Sequence, residues 1–326
     1  MAVKISPDYI ELLNKAVERE FQVSIQYFLQ HAKMEKLVRR TIPENILLDK
    51  TTYDAVGKVL KEISIQEMKH AASIMERIYY IGGQATTKGG KPVIGDSISE
   101  FAKLGVAAEE EALTLYRKII ETAAKMGDWQ TRELFEKIYS EEESHLFKFQ
   151  EYTKFQDEKD IPSKVPLPEW RKIYTADYLA LLNKAVAAEI TGIVQYTNQH
   201  EKASFLALRM KNTALETISD TNKAGVISKI LKEVSMAEMG HLEKISERIY
   251  LLEGEATTKP DPIPVVGETP DDFLKLDHAL ESSAITLYRQ IIAEALKCGD
   301  TTTRRIFEDI VMQEEDHFWT FDDFVR

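Results

Sequence analysis

Seven histidines occur in the 326-residue chain, and four have a glutamate three residues earlier: Glu67/His70, Glu142/His145, Glu238/His241 and Glu314/His317. With 54 acidic residues in 326, chance would put an acid there for about one histidine in six. On a helix, residues three apart share a face, so each pair presents a carboxylate and an imidazole in one direction. Oxygen ligands with an occasional imidazole suit iron or manganese. The single cysteine, Cys298, leaves no thiolate cage for an iron–sulfur cluster or a structural zinc.

The pairs recur because the chain repeats. "PDYIELLNKAVEREFQVSIQYFLQH" from Pro7 returns as "ADYLALLNKAVAAEITGIVQYTNQH" from Ala176, and "ALTLYRKIIETAAKMGDWQTRELFEKI" returns as "AITLYRQIIAEALKCGDTTTRRIFEDI". The offset grows from 169 residues (Pro7 to Ala176) to 171 (Glu67 to Glu238) and 172 (Glu142 to Glu314), so small loop insertions separate well-kept segments.

These segments must be helices. Apolar residues recur at three- and four-residue spacing through 8–38, 53–81, 97–126 and 129–155, and no alternating β-branched run signals a strand. Gly127-Asp128 and Gly299-Asp300 are short breaks that make the third and fourth helices antiparallel neighbours. "GGQATTKGGKPVIGDS" is long enough to carry the chain back along the bundle before the third helix. Pro43 interrupts the connection between the first two helices, where a short extra turn has room. The stretch "DEKDIPSKVPLPEW" reads as a linker. The expected organisation is all-α, with four-helix bundles at 1–156 and 175–326 joined by a Pro- and charge-rich linker at 157–174.

With one Glu-x-x-His on the second helix and one on the fourth, the other two helices must complete a site. Glu20 and Glu189 are equivalent on the first helix, each seven residues before Tyr27 or Tyr196. Glu109 and Glu281 are equivalent on the third, each eight residues before the arginine of "LYR". Each half thus offers four glutamates and two histidines, the donor set of carboxylate di-iron bundles. Four carboxylates balance two divalent ions, so a cluster costly to bury alone becomes neutral when filled.

Composition narrows the function classes. A chain 44% hydrophobic and 29% charged suits a soluble globular protein with ample core. The net charge of −12 argues against a nucleic-acid surface and favours cations as ligands. No apolar run reaches the ~18 residues of a membrane span, and the N-terminus lacks the apolar core of a signal peptide. The expected location is the cytoplasm, which the lone cysteine also fits.

The motifs "ExxxxIQYFL", "EMKHA" followed by "ERI", a glutamate eight before arginine, and "EExH" resemble bacterioferritin, within the ferritin-like superfamily, over nearly all of both halves. The resemblance implies two tandem ferritin-like bundles, up-down-down-up, with a long crossover between the second and third helices. It implies that Glu67 and Glu142 bridge two ions in the first half, with Glu20 and His70 on one and Glu109 and His145 on the other. In the second half Glu238 and Glu314 would bridge, with Glu189 and His241 on one ion and Glu281 and His317 on the other. Tyr27 and Tyr196 match the tyrosine beside the family's centre and are candidates to donate a hydrogen bond or an electron. The implied activity is ferroxidase: two Fe2+ ions each give one electron to O2 or H2O2. Manganese remains an alternative metal. Met68 and Met239 match the family's haem-ligating methionine, although methionine there also serves as core filler. Assembly stays open between pairing of the two bundles within the chain and a homo-oligomer.

The sequence also departs from that family. The interval between the first two helices is longer, and the chain ends nine residues after His317, so the short fifth helix of ferritin cages is not expected. A rubrerythrin-like peroxide or oxygen reductase ranks second, because its extra third-helix glutamate is replaced by Ala112 and Ala284 and its four-cysteine site is impossible here. Manganese catalase-like chemistry ranks third, because ligand type does not separate iron from manganese, and a non-catalytic iron-binding role stands beside these enzymatic readings. Among the remaining residues, His31 and His200 repeat and read as packing groups at the bundle end. His278, unmatched by Val106, is a candidate hydrogen-bond partner or extra ligand beside Glu281. Tyr116 and Tyr288 read as packing residues. Glu62, Glu233 and the rest of "EEE" at 109–111 and 141–143 read as solvated faces.

Overall fold

The structure, a computed structural model, describes residues 5–41, 47–153, 174–210 and 218–325. It divides into two compact units, Met1–Lys164 and Val165–Arg326. The first holds α1 (Pro7–Thr41), α2 (Leu47–Tyr80), α3 (Ile98–Met126) and α4 (Trp129–Tyr152). The second holds α5 (Ala176–Met210), α6 (Ile218–Leu251), α7 (Pro270–Cys298) and α8 (Thr301–Val325). No strand occurs among the described residues. The linker expected at 157–174, apart from Tyr174, and the stretch around Pro43 lie outside them. α1 and α2 both run further than their apolar periodicity suggests, since a nucleated helix propagates through residues of indifferent pattern.

Local chemistry sets the helix ends. Ser97 caps α3 by accepting from the Glu100 amide, and Thr269 with Asp272 forms a capping box on α7. Gly127 and Gly299 end α3 and α7 in the left-handed conformation, at φ 73° and 77°. Each is followed by an aspartate, and Asp128 is the N-cap of α4, accepting from the Thr131 amide. A one-glycine reversal of this kind forces α3 and α4 to run antiparallel.

The α2–α3 connection fixes the remaining order. Asn14 bonds both Gln84 O and the Thr86 amide, the Gly90 amide bonds Glu18 O, Gln26 accepts from the Val93 amide, and Lys33 reaches Asp96. The loop therefore climbs α1 from Asn14 to Lys33, about 28 Å at 1.5 Å per residue. It delivers α3 to the end opposite the α2 C-terminus, which gives up-down-down-up. In the second unit Asn183, Ala187, Gln195 and Lys202 hold residues 255–268 in the same way.

One end of each bundle is pinned by a buried polar knot. Asp128 accepts from Tyr9 of α1 (3.1 Å), Arg77 of α2 (2.6 Å) and the Thr131 hydroxyl of α4 (2.6 Å). Asp300 collects Tyr178, Arg248 and Thr303 in the same pattern. Burial raises the Asp128 carboxyl, but hydrogen bonds from Thr131 and the charge of Arg77 outweigh it and hold the group below the usual range.

Candidate metal centres

Each predicted ligand sits between two apolar layers. In the first unit, two helical turns to one side lie Leu13, Ile74, Tyr116 and Phe135, and two turns to the other lie Tyr27, Leu60, Ala102 and Phe149, all buried. Between them Glu20, Glu67, Glu109 and Glu142 are fully buried, with His70 and His145 almost so. Helical phase aims them at one axis, and the dry layers strengthen every charge interaction among them.

The six side chains form two overlapping groups. Ligand atoms of Glu20, Glu67, His70 and Glu142 lie within 4.8 Å of one another, as do those of Glu67, Glu109, Glu142 and His145. Glu67 and Glu142 belong to both. His70 Nδ1 is 3.0 Å from Glu67 and 3.1 Å from Glu142, while His145 Nδ1 is 3.0 Å and 3.2 Å from the other oxygens of the same carboxylates. Both oxygens of Glu20 are buried without a hydrogen-bond partner, with His70 Nδ1 at 3.8 Å and Arg19 Nη1 at 3.7 Å. Orphaned carboxylate oxygens and inward-facing Nδ1 atoms fit a cation ligand set.

The second unit repeats the arrangement, with Glu189, Glu238, His241 and Glu314 in one group and Glu238, Glu281, Glu314 and His317 in the other. His241 Nδ1 lies 3.1 Å from Glu238 and 3.0 Å from Glu314, and His317 Nδ1 lies 3.3 Å and 3.2 Å from the same pair. The two imidazole centroids are 6.1 Å apart in both units.

Electrostatics divides the carboxylates. Burial, reinforced by Glu142 and Glu67, raises Glu20 well above the carboxylate range, and burial with the same two neighbours raises Glu109. Burial also works against Glu67 and Glu142, but hydrogen bonds from His145 and His70 hold both below it. Burial lowers the imidazoles, yet hydrogen bonds to Glu142 and Glu67 win, pushing His70 up to about 12 and His145 to about 9. In the second unit burial raises Glu189 and Glu281, hydrogen bonds with Glu189, His241 and His317 hold Glu238 low against burial, and hydrogen bonds to Glu238 and Glu314 raise His317 to about 9.

The tyrosines reach the same carboxylates. The Tyr27 hydroxyl donates to Glu109 Oε1, and Tyr196 donates to Glu281 Oε1 at 2.6 Å. Met68 and Met239 are buried beside Glu67 and Glu238 in sequence.

Three expectations are corrected. Glu141 is not simply a solvated charge: one-third exposed, it lies 2.7 Å from His70 Nε2, because an i−1 neighbour of a buried glutamate can still lean over the helix seam. Tyr288 is more than a packing residue, since its hydroxyl donates to Glu189 Oε1. His278 does not join Glu281. It lies 3.3 Å from Asp322 and stacks on Phe318, drawn by α8 instead of the bundle axis. His200 is a packing group, bonded to Ser228 O at 2.7 Å, and Gly57 of α2 leaves room for the His31 ring. Glu62 lines a cleft of about 710 Å3 between α2 and α4, onto which His70 and Glu141 also open.

Other groups escaped the sequence reading. Arg19, largely buried against the first cluster, donates to Glu109 Oε2 at 3.1 Å and to Ala108 O, and lies over the Tyr116 ring. Gln66 reaches His145 Nε2, whereas Gln313 faces His241 Nε2 at 3.3 Å. Asp277, buried on α7 and bonded by Gln195 at 2.8 Å, is raised to about 8 by burial. Breaks in the repeat were the available signal: Ala188 stands at the place of Arg19, and Gly105 at that of Asp277.

A four-helix bundle with this up-down-down-up order and a buried carboxylate–histidine cluster defines the ferritin-like class. A family model described as a ferritin-like domain matches residues 10–155 and again 179–326, and the chain belongs to that family, in tandem. It is 33% identical to the bacterioferritin of Desulfovibrio desulfuricans over 138 residues, 42% of this chain and 69% of that protein. It is 34% identical to the bacterioferritin of Rhodobacter capsulatus over 143 residues, 44% of this chain and 78% of that protein. Among solved structures, the D. desulfuricans bacterioferritin, described with a diiron site in different catalytic states, matches 49% of this chain and 83% of its own at 26% identity, with a TM-score of 0.40. The R. capsulatus protein, described with a metal-free dinuclear site and haem iron, matches 46% and 84% at 32% identity, with a TM-score of 0.37. Among the described residues, no helix is long and apolar enough to cross a membrane.

Proposed function

We propose that each bundle takes two Fe2+ ions and oxidises them, with O2 or H2O2 as the electron acceptor. The observation that carries this is the pair of overlapping ligand groups sharing Glu67 and Glu142, repeated with Glu238 and Glu314. Shared carboxylates suit bridging of two ions. Glu20 with His70, and Glu109 with His145, serve one ion each; Glu189 with His241 and Glu281 with His317 do so in the second bundle. Iron brings the one-electron chemistry: two Fe2+ yield two electrons, which with two protons reduce O2 to H2O2 or H2O2 to two waters.

The chain's own groups supply the rest. Imidazoles and buried carboxylic acids give up their protons as cations arrive, leaving an anionic set that favours Fe3+ over Fe2+. Tyr27 and Tyr196 orient Glu109 and Glu281 through their hydroxyls. A Tyr27→Phe/Tyr196→Phe chain oxidising iron at the unaltered rate would limit the tyrosines to packing.

Anaerobic Fe2+ titration followed by stopped-flow mixing with O2, then H2O2, tests the reading. About four irons per chain with fast oxidation is the expected result. Tight binding with no oxidation by either oxidant overturns the ferroxidase reading in favour of a non-catalytic iron-binding role.

A further inference from the structure

The repeat makes the two centres comparable residue by residue, and they differ where a ligand is held. In the first, Arg19 Nη2 is bonded to Glu109 Oε2 at 3.1 Å and Nη1 lies 3.7 Å from Glu20 Oε1. The guanidinium side chain is 10% exposed. In the second, Ala188 stands there, so no arginine reaches the cluster from that position. The tyrosines follow the same split. Tyr288 donates to Glu189, whereas Tyr116, the equivalent residue, lies under Arg19 and its buried hydroxyl has no hydrogen-bond partner.

An arginine cannot shed its charge at ordinary pH. A cation entering the first centre therefore meets a fixed positive charge among buried side chains and competes for the lone pairs of Glu109. Glu141, replaced by Gln313 in the second centre, adds a negative charge on the outer side of His70. At one-third exposure, that charge is screened by solvent more than the buried guanidinium is.

We propose that Arg19 makes the centres unequal, so that the second bundle binds divalent cations first and the first fills only when Glu109 is drawn from Arg19. This rests on the reading of both clusters as metal centres.

Metal-free full-length protein titrated with Co2+, followed by its ligand-field absorption and by calorimetry, tests the inference. Two classes of two ions are expected, the weaker by at least tenfold. Glu314→Gln should remove the tight class and Glu142→Gln the weak one. Arg19→Ala, which copies Ala188, should merge the classes, while Arg19→Lys should keep them apart. If circular dichroism finds Arg19→Ala unfolded, Ala188→Arg decides, because it should weaken the tight class. Four equal Co2+ ions in the unaltered chain, or a tight class assigned to the first bundle, overturns the inference and leaves two metal centres standing. No Co2+ binding overturns the reading of the centres and the inference with it.

Discussion

His70 of α2 and Glu142 of α4 are held 3.1 Å apart, and each also touches a partner within its own Glu-x-x-His motif or the other one. The motifs are interlocked: both imidazoles address both shared carboxylates. On the proposed reading, proton and metal therefore compete for the same atoms.

Metal binding should release protons. With His70 raised to about 12 and His145 to about 9, both imidazoles are cationic at pH 7 and must deprotonate to ligate. Glu20 and Glu109, raised by burial, add to the count. Calorimetry of Co2+ binding in buffers of different ionisation enthalpy should find more than one proton released per ion, and affinity rising from pH 6 to pH 8.

The metal-free protein should lose stability as pH rises. His145 and His317 have folded values of about 9, above the ordinary value of 6.5. Their contribution is complete below about pH 6.5 and is lost as pH climbs through about 9. Melting followed by circular dichroism should find Tm lower at pH 9 than at pH 6.5 by roughly 5 °C or more. A metal-loaded sample should have a flatter profile, because the bound ions replace those protons.

The paired tyrosines should respond differently to loss of the hydroxyl. Tyr288→Phe removes the donor to Glu189 and should cost about 1 kcal/mol in the second bundle. Tyr116→Phe removes a buried hydroxyl without a hydrogen-bond partner and should be neutral or slightly stabilising. Denaturant titrations of the two variants, made without metal, compare them directly.

Asp128→Ala should unfold the first bundle selectively. It strands Arg77, frees Tyr9 and removes the α4 cap, a buried-ion-pair loss worth roughly 3–5 kcal/mol. Hydrogen exchange should accelerate in α1–α4 and leave α5–α8 protected; equal acceleration in both units would contradict an independent role for this knot.

The clustered carboxylates and imidazoles, the proposed ligands, were legible because the sequence states them twice. Glu20, Glu67, His70, Glu109, Glu142 and His145 each have a counterpart at a nearly constant offset, and helical spacing alone puts each Glu and His on one face. Helix number and the reversals at Gly127 and Gly299 followed from periodicity and turn chemistry.

What neighbours those side chains was decided by tertiary packing. Arg19 precedes Glu20 and carries no motif of its own, yet α3 brings Glu109 against it. His278 shares a helical face with Glu281 but turns to Asp322, and Glu141 leans back onto His70. Spacing along one helix fixes direction within that helix. Which charge meets which across the bundle depends on how four helices rotate to fill a common core, and a single helix does not encode that rotation.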